Sequence, residues 1–85
     1  MLLFQLNQAT LPPLLALATP DDMLLLRRDA VYLLLSQHSW PCQVSVLQQD
    51  ILQRGIACPS AVAVLSDEEW VELTLEASQV ISCLD

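Results

Sequence analysis

The chain has 85 residues, 54% of them hydrophobic, and its 10 acidic and 3 basic side chains give a net charge of −7. This acidic balance argues against direct binding of RNA, DNA or anionic membrane surfaces, because all three depend on lysine and arginine. We expect one small domain, residues 1–85, with more hydrophobic side chains than its interior can bury, which favours a subunit of an oligomer or complex. The N-terminal segment lacks the basic region of a signal peptide, and no apolar run is long enough for a membrane span, so we expect a cytoplasmic protein.

The first half of the chain alternates predicted strands and helices. Residues 2–6 (LLFQL) predict a short strand, and residues 10–18 (TLPPLLALA) a helix with its prolines in the first turn. Residues 23–26 (MLLL) are continuously apolar, which is typical of a strand covered on both faces. Asp29 lies at the N-cap position of a helix that runs to about Gln37. That helix is apolar around most of its circumference, so one side is expected to face the sheet and another a partner.

The second half continues the alternation. Residues 43–47 predict a third strand, residues 48–55 a short helix with Gly55 just past its end, and residues 61–65 a fourth, buried strand. Ser66 and Glu69 form a capping box that opens a helix through about Ala77. One face of this helix is predicted to carry Trp70, Leu73, Thr74 and Ala77, widened by Val71 and Leu75. Residues 79–85 predict either a last edge strand or a tail.

This order predicts an α/β fold, a small parallel sheet of four or five strands flanked by helices in a layered sandwich. Ligands of such sheets bind at the carboxyl ends of the strands. The residues expected at this edge are Asn7, Arg27, Arg28, Asp29, Gln48, Gln49, Asp50, Ser66 and Asp67.

The chemistry available at this edge is limited. Gly55 is the only glycine, so a dinucleotide or phosphate-binding loop lacks its backbone requirement, and the absence of lysine argues against a phosphotransfer receiver domain. Cys42, Cys58 and Cys83 are widely spaced, and His38 is the only histidine. This pattern does not fit a zinc site and favours reduced, structural thiols and an exposed histidine. We therefore predict no catalytic residues, no cofactor and no metal.

The adjacent Arg27 and Arg28 have two interpretations. They are either solvated or paired within the chain to Asp29 or Asp50, or they reach a carboxylate on a partner subunit. Trp40 and Trp70 are interpreted as core or interface anchors rather than cofactor-stacking residues. The predicted interface set comprises Arg27, Arg28, Asp29, Tyr32, Leu33 and Trp70.

Four segments resemble the TusB/DsrH-type sulfur-relay subunits, small relatives of the DsrE fold. "LFQLN" (3–7) is similar to the family's "HxVN"-like opening, and "LLLRRDAVYLLL" (24–35) to its "LLLLxDGVYAAL"-type segment. "DILQRG" (50–55) resembles "DLxARG", and "DEEWVELT" (67–74) resembles "YxxFVxLT". The four occur in the family's order and spacing over most of the chain.

The resemblance implies a DsrE-like or flavodoxin-like layered fold and a heterohexamer that contains two copies each of three related subunits, here with TusC-like and TusD-like partners. In the TusB branch, persulfide sulfur passes toward 2-thiouridine at the tRNA wobble position. In the DsrH branch, the complex serves sulfur oxidation, and some members carry a cysteine in the first helix. Alignment of "LATP" (17–20) with the family's "FATE" places Leu14 at that cysteine's position, which favours the TusB branch and a non-catalytic subunit.

Other departures from the family pattern are Asp29-Ala30 in place of Asp-Gly, Asp67 in place of tyrosine and Trp70 in place of phenylalanine. Three alternatives stay open at this point. The chain is also compatible with a DsrH-like subunit of a sulfur-oxidation complex, with a homo-oligomeric DsrE-like binding module, and with an enzyme in which one cysteine carries persulfide.

Overall fold

The computed structural model describes residues 1–11, 13–36 and 40–83, without the side chains of Leu14 and Cys83. These residues form an all-parallel sheet in the order β4-β3-β2-β1-β5. Its strands are β1 (Leu2–Leu6), β2 (Met23–Leu26), β3 (Gln43–Leu47), β4 (Ala63–Leu65) and β5 (Gln79–Cys83). The predicted α/β class, a parallel sheet flanked by helices in a flavodoxin-like layered fold, is confirmed, with five strands. His38, predicted to be exposed, lies outside the described residues.

The handedness of the connections decides which face each helix covers. Strands β1 to β4 succeed one another across the sheet, so right-handed crossovers put the helices between them on one face. These are two 3₁₀ helices, Pro13–Leu17 and Arg28–Leu35, and the α-helix α1 (Gln48–Arg54). Strand β5 instead pairs with β1 at the far end, so the connection from β4 runs back over the other face and carries α2 (Asp67–Glu76). We call this second side the α2 face.

The alternation of side chains along the strands divides the core in the same way. Phe4, Leu24 and Val46 belong to a cluster that includes buried residues from both 3₁₀ helices and α1. Their strand neighbours belong to the cluster of the α2 face, which contains Leu3, Leu25 and Leu47 together with Trp70, Leu73 and Ala77. The α2 face of the sheet is therefore covered by one ten-residue helix, none of whose residues is fully buried, whereas three helical segments cover the other face.

Two helix predictions need correction. The helix predicted over 10–18 is a 3₁₀ helix at Pro13–Leu17, and the helix predicted from Asp29 is a 3₁₀ helix at Arg28–Leu35. Asp29 was predicted as an N-cap, but Arg27 occupies that position and makes no side-chain capping bond. The capping prediction was wrong because the Asp29 carboxylate bonds to Arg54 of α1 instead.

The fourth strand also differs from its prediction. It is shorter than residues 61–65 and lies at the edge of the sheet. Val64 is 41% exposed, because no strand among the described residues pairs with β4 on its outer side. Of the face predicted for α2, Trp70, Leu73 and the C-cap Ala77 pack against the core of the α2 face. Thr74 is half-buried outside that cluster, and Val71 and Leu75 are exposed. The capping box of Ser66 and Glu69 is confirmed in full.

Candidate subunit interface at the carboxyl edge of the sheet

Arg27 is held in place by contacts with strand β1 and helix α2. Its backbone N–H donates to the Leu6 carbonyl at 2.8 Å, which continues the pairing of β1 and β2 beyond the strand end. Its guanidinium lies 4.3 Å from the centre of the Trp70 ring, and its Nη1 donates to Gln5 Oε1 at 3.5 Å. A cation over an indole face is attracted by the negative ring face. Arg27 is therefore fixed between the sheet and α2.

Three polar atoms close to this edge are buried without a hydrogen-bond partner among the described residues: Asn7 Oδ1, Arg27 Nε and Trp70 Nε1. Asn7 follows β1, and Arg27 follows the neighbouring β2. Buried polar atoms nearly always have partners, because leaving one unpaired costs about 1–3 kcal/mol. Unsatisfied hydrogen-bonding capacity is thus concentrated where parallel α/β proteins bind their ligands.

Arg28 is exposed, and its backbone has φ of 51°. Among the described residues it shares a positive φ only with Gly55. The left-handed region is unfavourable for a side chain with a Cβ atom, and such conformations concentrate at functional sites. The start of the second 3₁₀ helix thus presents at this edge a cation that makes no ion pair with any described residue.

Arg54 makes both of the ion pairs found among the described residues. Its Nη2 is 3.1 Å from Asp29 Oδ1, and its Nη1 is 3.7 Å from Asp50 Oδ1. Asp29 and Asp50 were the intrachain partners considered for Arg27 and Arg28, and among the described residues both contact Arg54 instead, so the predicted pairing is wrong. The exposure of Arg28 agrees with the other half of that interpretation, a solvated side chain. Sequence reasoning overlooked Arg54, although a basic residue in the last turn of a helix is a common stabilising placement.

The remaining members of the predicted interface set divide by exposure. Tyr32 is 42% exposed, whereas Leu33 is buried in the core of its own chain. Trp70 is half-buried against Arg27 and the core of the α2 face. The residues that present free surface at this edge are therefore Arg28, Asp29 and Tyr32, and the interface itself stays a prediction.

Gln5 was not singled out by the sequence reasoning. It is buried in β1, where its side chain accepts the bond from Arg27. The signal was present in "LLFQL", because a glutamine inside an otherwise apolar buried strand needs a polar partner.

Cys42 and Cys58 lie at the opposite edge of the sheet. Both are half-buried, and burial raises the pKa of each thiol above its ordinary value of 9.0; the negative charge of Asp22 adds to this effect at Cys42. A raised pKa leaves little thiolate at neutral pH, and the thiolate is the nucleophile. The side chain of Cys83 lies outside the described part of the structure.

An open pocket of about 530 Å³ lies at this same edge. Its lining includes Leu34, Trp40, Cys42, Pro59 and Val62. In the described ranges, no three His, Cys, Asp or Glu side chains come together in a way that could hold a metal ion. The same ranges contain no helix long and apolar enough to cross a membrane.

The fold defines a class of small, all-parallel α/β proteins with a flavodoxin-like arrangement. Within that class the chain belongs to the DsrH-like protein family, whose model matches residues 5–80. This range contains Asn7 and the three later segments of the resemblance. Members of the family work in sulfur-relay complexes with other subunits, and membership indicates a sulfur-relay subunit. A search of curated proteins found no match.

Proposed function

We propose that this chain is a non-catalytic subunit of a TusBCD-like sulfur-relay complex that supports persulfide transfer for 2-thiolation of the tRNA wobble uridine. The observation that carries this proposal is the state of Cys42 and Cys58, which are half-buried thiols with raised pKa values. A sulfur carrier needs an accessible thiol in an electropositive environment. The resemblance also supports it, because the alignment of LATP (17–20) with the family's FATE puts Leu14, a residue of the first 3₁₀ helix, where some DsrH-branch members carry a cysteine.

The partners in this proposal are TusC-like and TusD-like subunits in a heterohexamer. Arg27 and Arg28 support an interface at the carboxyl edge, since neither has a carboxylate partner within the described chain. A carboxylate from a partner would accept from Arg27 Nε and Trp70 Nε1, whereas Asn7 Oδ1 would need a donor from the partner. The complex would act in the cytoplasm, where tRNA is thiolated and thiols stay reduced.

The cysteines provide the direct test. Replacing Cys42, Cys58 and Cys83 together by serine should leave sulfur transfer through the reconstituted complex near the wild-type rate. Transfer would be followed with labelled persulfide, and assembly by gel filtration of the same samples. Loss of transfer in a complex that still assembles would show that one of these thiols carries sulfur, and that the subunit is an enzyme.

The second candidate is a DsrH-like subunit of a sulfur-oxidation complex, and the family model itself, described as DsrH-like, favours it. The two functions differ in the final sulfur acceptor. Deletion of the gene should abolish 2-thiouridine in bulk tRNA, measured by nucleoside mass spectrometry, if the first proposal holds. Normal thiouridine together with impaired sulfur oxidation would favour the second.

A further inference from the structure

Four polar side chains lie together where the carboxyl edge of the sheet meets helix α2, and we call them the polar cluster: Gln5, Asn7, Arg27 and Trp70. Arg27 connects the other three. Its guanidinium lies 4.3 Å from the centre of the Trp70 ring, and its Nη1 donates to Gln5 Oε1. Its backbone N–H bonds to the carbonyl of Leu6, the residue before Asn7. Strands β1 and β2 and helix α2 therefore each bring polar groups to one place.

Hydrogen-bond donors without an acceptor predominate in the polar cluster. Arg27 Nε and Trp70 Nε1 are buried and have no partner among the described residues. Gln5 is only 7% exposed, and its Nε2 donates to no described residue. Burying a donor without an acceptor is unfavourable, and native proteins rarely do it without a partner or ligand. Donors from three different elements thus share the need for an acceptor from outside the described chain.

The remaining groups of the cluster allow the acceptor to be an anion. Asn7 Oδ1 is buried without a described partner, and rotation of the amide exchanges this oxygen with the Nδ2 donor. Arg27 carries the cluster's charge, and both ion pairs of the described chain belong to Arg54, so no described carboxylate neutralises it. A cationic site composed of N–H donors is complementary to a group that offers several negatively charged oxygens.

We infer that the polar cluster binds a small oxyanion, a class that includes sulfate, sulfite and phosphate. One oxygen accepts from Arg27 Nε, and another accepts from Trp70 Nε1. Gln5 Nε2 and the rotated Asn7 amide complete the set of donors. The stacking on Trp70 holds the guanidinium in one orientation before the ligand arrives, which reduces the entropy lost on binding. The isolated chain has all of these groups, so this binding is independent of the proposed function.

The charge distribution of the chain favours a small anion over a large one. The net charge of −7 repels nucleic acid and anionic membranes, because both present many negative charges at once. A small oxyanion responds mainly to the nearby charges of Arg27 and Arg28, since salt screens the more distant carboxylates. A carboxylate of a partner subunit has the same acceptor chemistry, and it would compete with a free anion for the cluster.

Titration of the dilute, isolated chain with sulfate tests the site, and the emission of Trp70 is the readout. Trp40 is replaced by phenylalanine in every protein, so that Trp70 is the only tryptophan, and sulfate replaces chloride at constant ionic strength. The emission should change and reach saturation. Arg27→Gln should weaken sulfate binding about tenfold or more, because it removes charged hydrogen bonds. The matched control Arg28→Gln removes the same charge from an exposed neighbour and should keep the affinity within about threefold.

Gln5→Met is a second variant that does not depend on the fold tolerating the loss of Arg27. Methionine has nearly the same shape as glutamine and suits an apolar strand, but it lacks the Nε2 donor, so sulfate should bind about threefold more weakly or worse. Denaturation midpoints give an independent measure. Sulfate raises the stability of proteins in general, and a bound ligand adds to this effect. The midpoint of wild type and of Arg28→Gln should therefore rise more than that of Arg27→Gln.

Four outcomes would overturn the inference. The first two are an emission that does not respond to sulfate and a response of equal affinity in Arg27→Gln. The third is an equal loss of affinity in both arginine variants, because the general charge of this edge would then account for binding. The fourth concerns the source of the acceptor, and it is examined in the complex with the related subunits. Retained sulfate binding there supports a free anion, whereas its loss on assembly would assign the cluster to a partner's carboxylate.

Failure of the chain to bind the related subunits would count against the proposed function alone, because sulfate binding is measured without them.

Discussion

The three arginines of this chain have three different environments. Arg54 contacts two carboxylates, and Arg27 lies against the indole ring of Trp70. Arg28 is exposed, and its own backbone has a left-handed conformation. Their chemistry is the same, so position in the fold decides whether each one stabilises the chain or is available to a partner. Arg28 is the arginine that remains available.

We predict that Arg28→Gly stabilises the isolated chain by about 1 kcal/mol, because glycine adopts a positive φ without a steric penalty. Arg28→Ala keeps the Cβ atom and should change stability by less than about 0.5 kcal/mol. Chemical denaturation of the two variants measures the difference. Both lack the guanidinium, so both should lose affinity for the partner equally if Arg28 reaches an acidic group there. Equal stability of the two variants would contradict the prediction that the positive φ of Arg28 strains the backbone.

Asp22 connects the start of β1 to the turn before β2. Its carboxylate accepts bonds from the backbone N–H groups of Leu2 and Thr19, both at 2.9 Å, and these bonds lower its pKa below the ordinary value of 3.8. A lowered folded-state pKa means that this stabilisation is complete well above pH 3.8 and is lost as the pH falls through the folded-state value.

The pH dependence gives a prediction for Asp22→Asn. The variant should have a lower denaturation midpoint than wild type at pH 6, because an amide offers these donors a weaker, uncharged acceptor. The difference should shrink as the pH falls below 3.8, where the wild-type carboxyl also loses its charge. Denaturation curves of both proteins over this range check it. A difference that does not depend on pH would show that the charge of Asp22 contributes nothing.

At the scale of elements, one side chain connects the second 3₁₀ helix to α1. Arg54 contacts the exposed Asp29 of the former and the nearly buried Asp50 of its own helix. The two contacts are expected to contribute differently to the free energy of unfolding. Water screens the exposed ion pair with Asp29, whereas the shielded Asp50 carboxylate would be left as an uncompensated charge without Arg54.

We therefore expect Arg54→Ala to destabilise the chain by about 1–3 kcal/mol, since it leaves Asp50 without its cation. Asp29→Ala should cost about 0–1 kcal/mol, because the Asp29 side chain is 69% exposed. Urea unfolding of the two variants provides the comparison. If both variants lost the same free energy of unfolding, the ion pair between Arg54 and Asp29, rather than the neutralisation of Asp50, would account for the contribution of Arg54.

At the scale of the whole molecule, the chain exposes large apolar side chains on three helical segments of one face and on α2. Leucines at least two-thirds exposed occur in each of them: Leu17, Leu35, Leu52 and Leu75. A chain of 85 residues has little interior, and the single helix on the α2 face leaves that side thinly covered. Exposed apolar surface of this extent is typical of subunits that assemble.

We predict that the isolated chain self-associates or precipitates, and that salt promotes this because it screens the repulsion between charges of −7. Co-expression with the related subunits should restore a discrete, soluble complex. Light scattering over a range of salt and protein concentrations measures the first effect, and gel filtration the second. A monodisperse monomer at high concentration and high salt would contradict the prediction.

Local signals in the sequence were sufficient to predict much of this protein. The segments at 2–6, 23–26 and 43–47 became strands with the predicted bounds. The continuously apolar MLLL of the second segment is stable only when it is covered on both faces, and it lies in the middle of the sheet. The capping box of Ser66 and Glu69 and the left-handed Gly55 also followed from local chemistry. The alternation of strands and helices determined the parallel sheet and placed the two central arginines at its carboxyl edge.

Tertiary structure alone decided the relations between distant segments. The pairing of β5 with β1 made β4 an edge strand and left Val71 and Leu75 exposed on the helix that crosses back. The meeting of Asp29 with Arg54, and of Arg27 with Gln5 and Trp70, joined residues 22 to 43 positions apart that no local pattern connects. Strand order and ion-pair choice depend on contacts throughout the fold, whereas strand and cap formation depend on a few neighbouring residues.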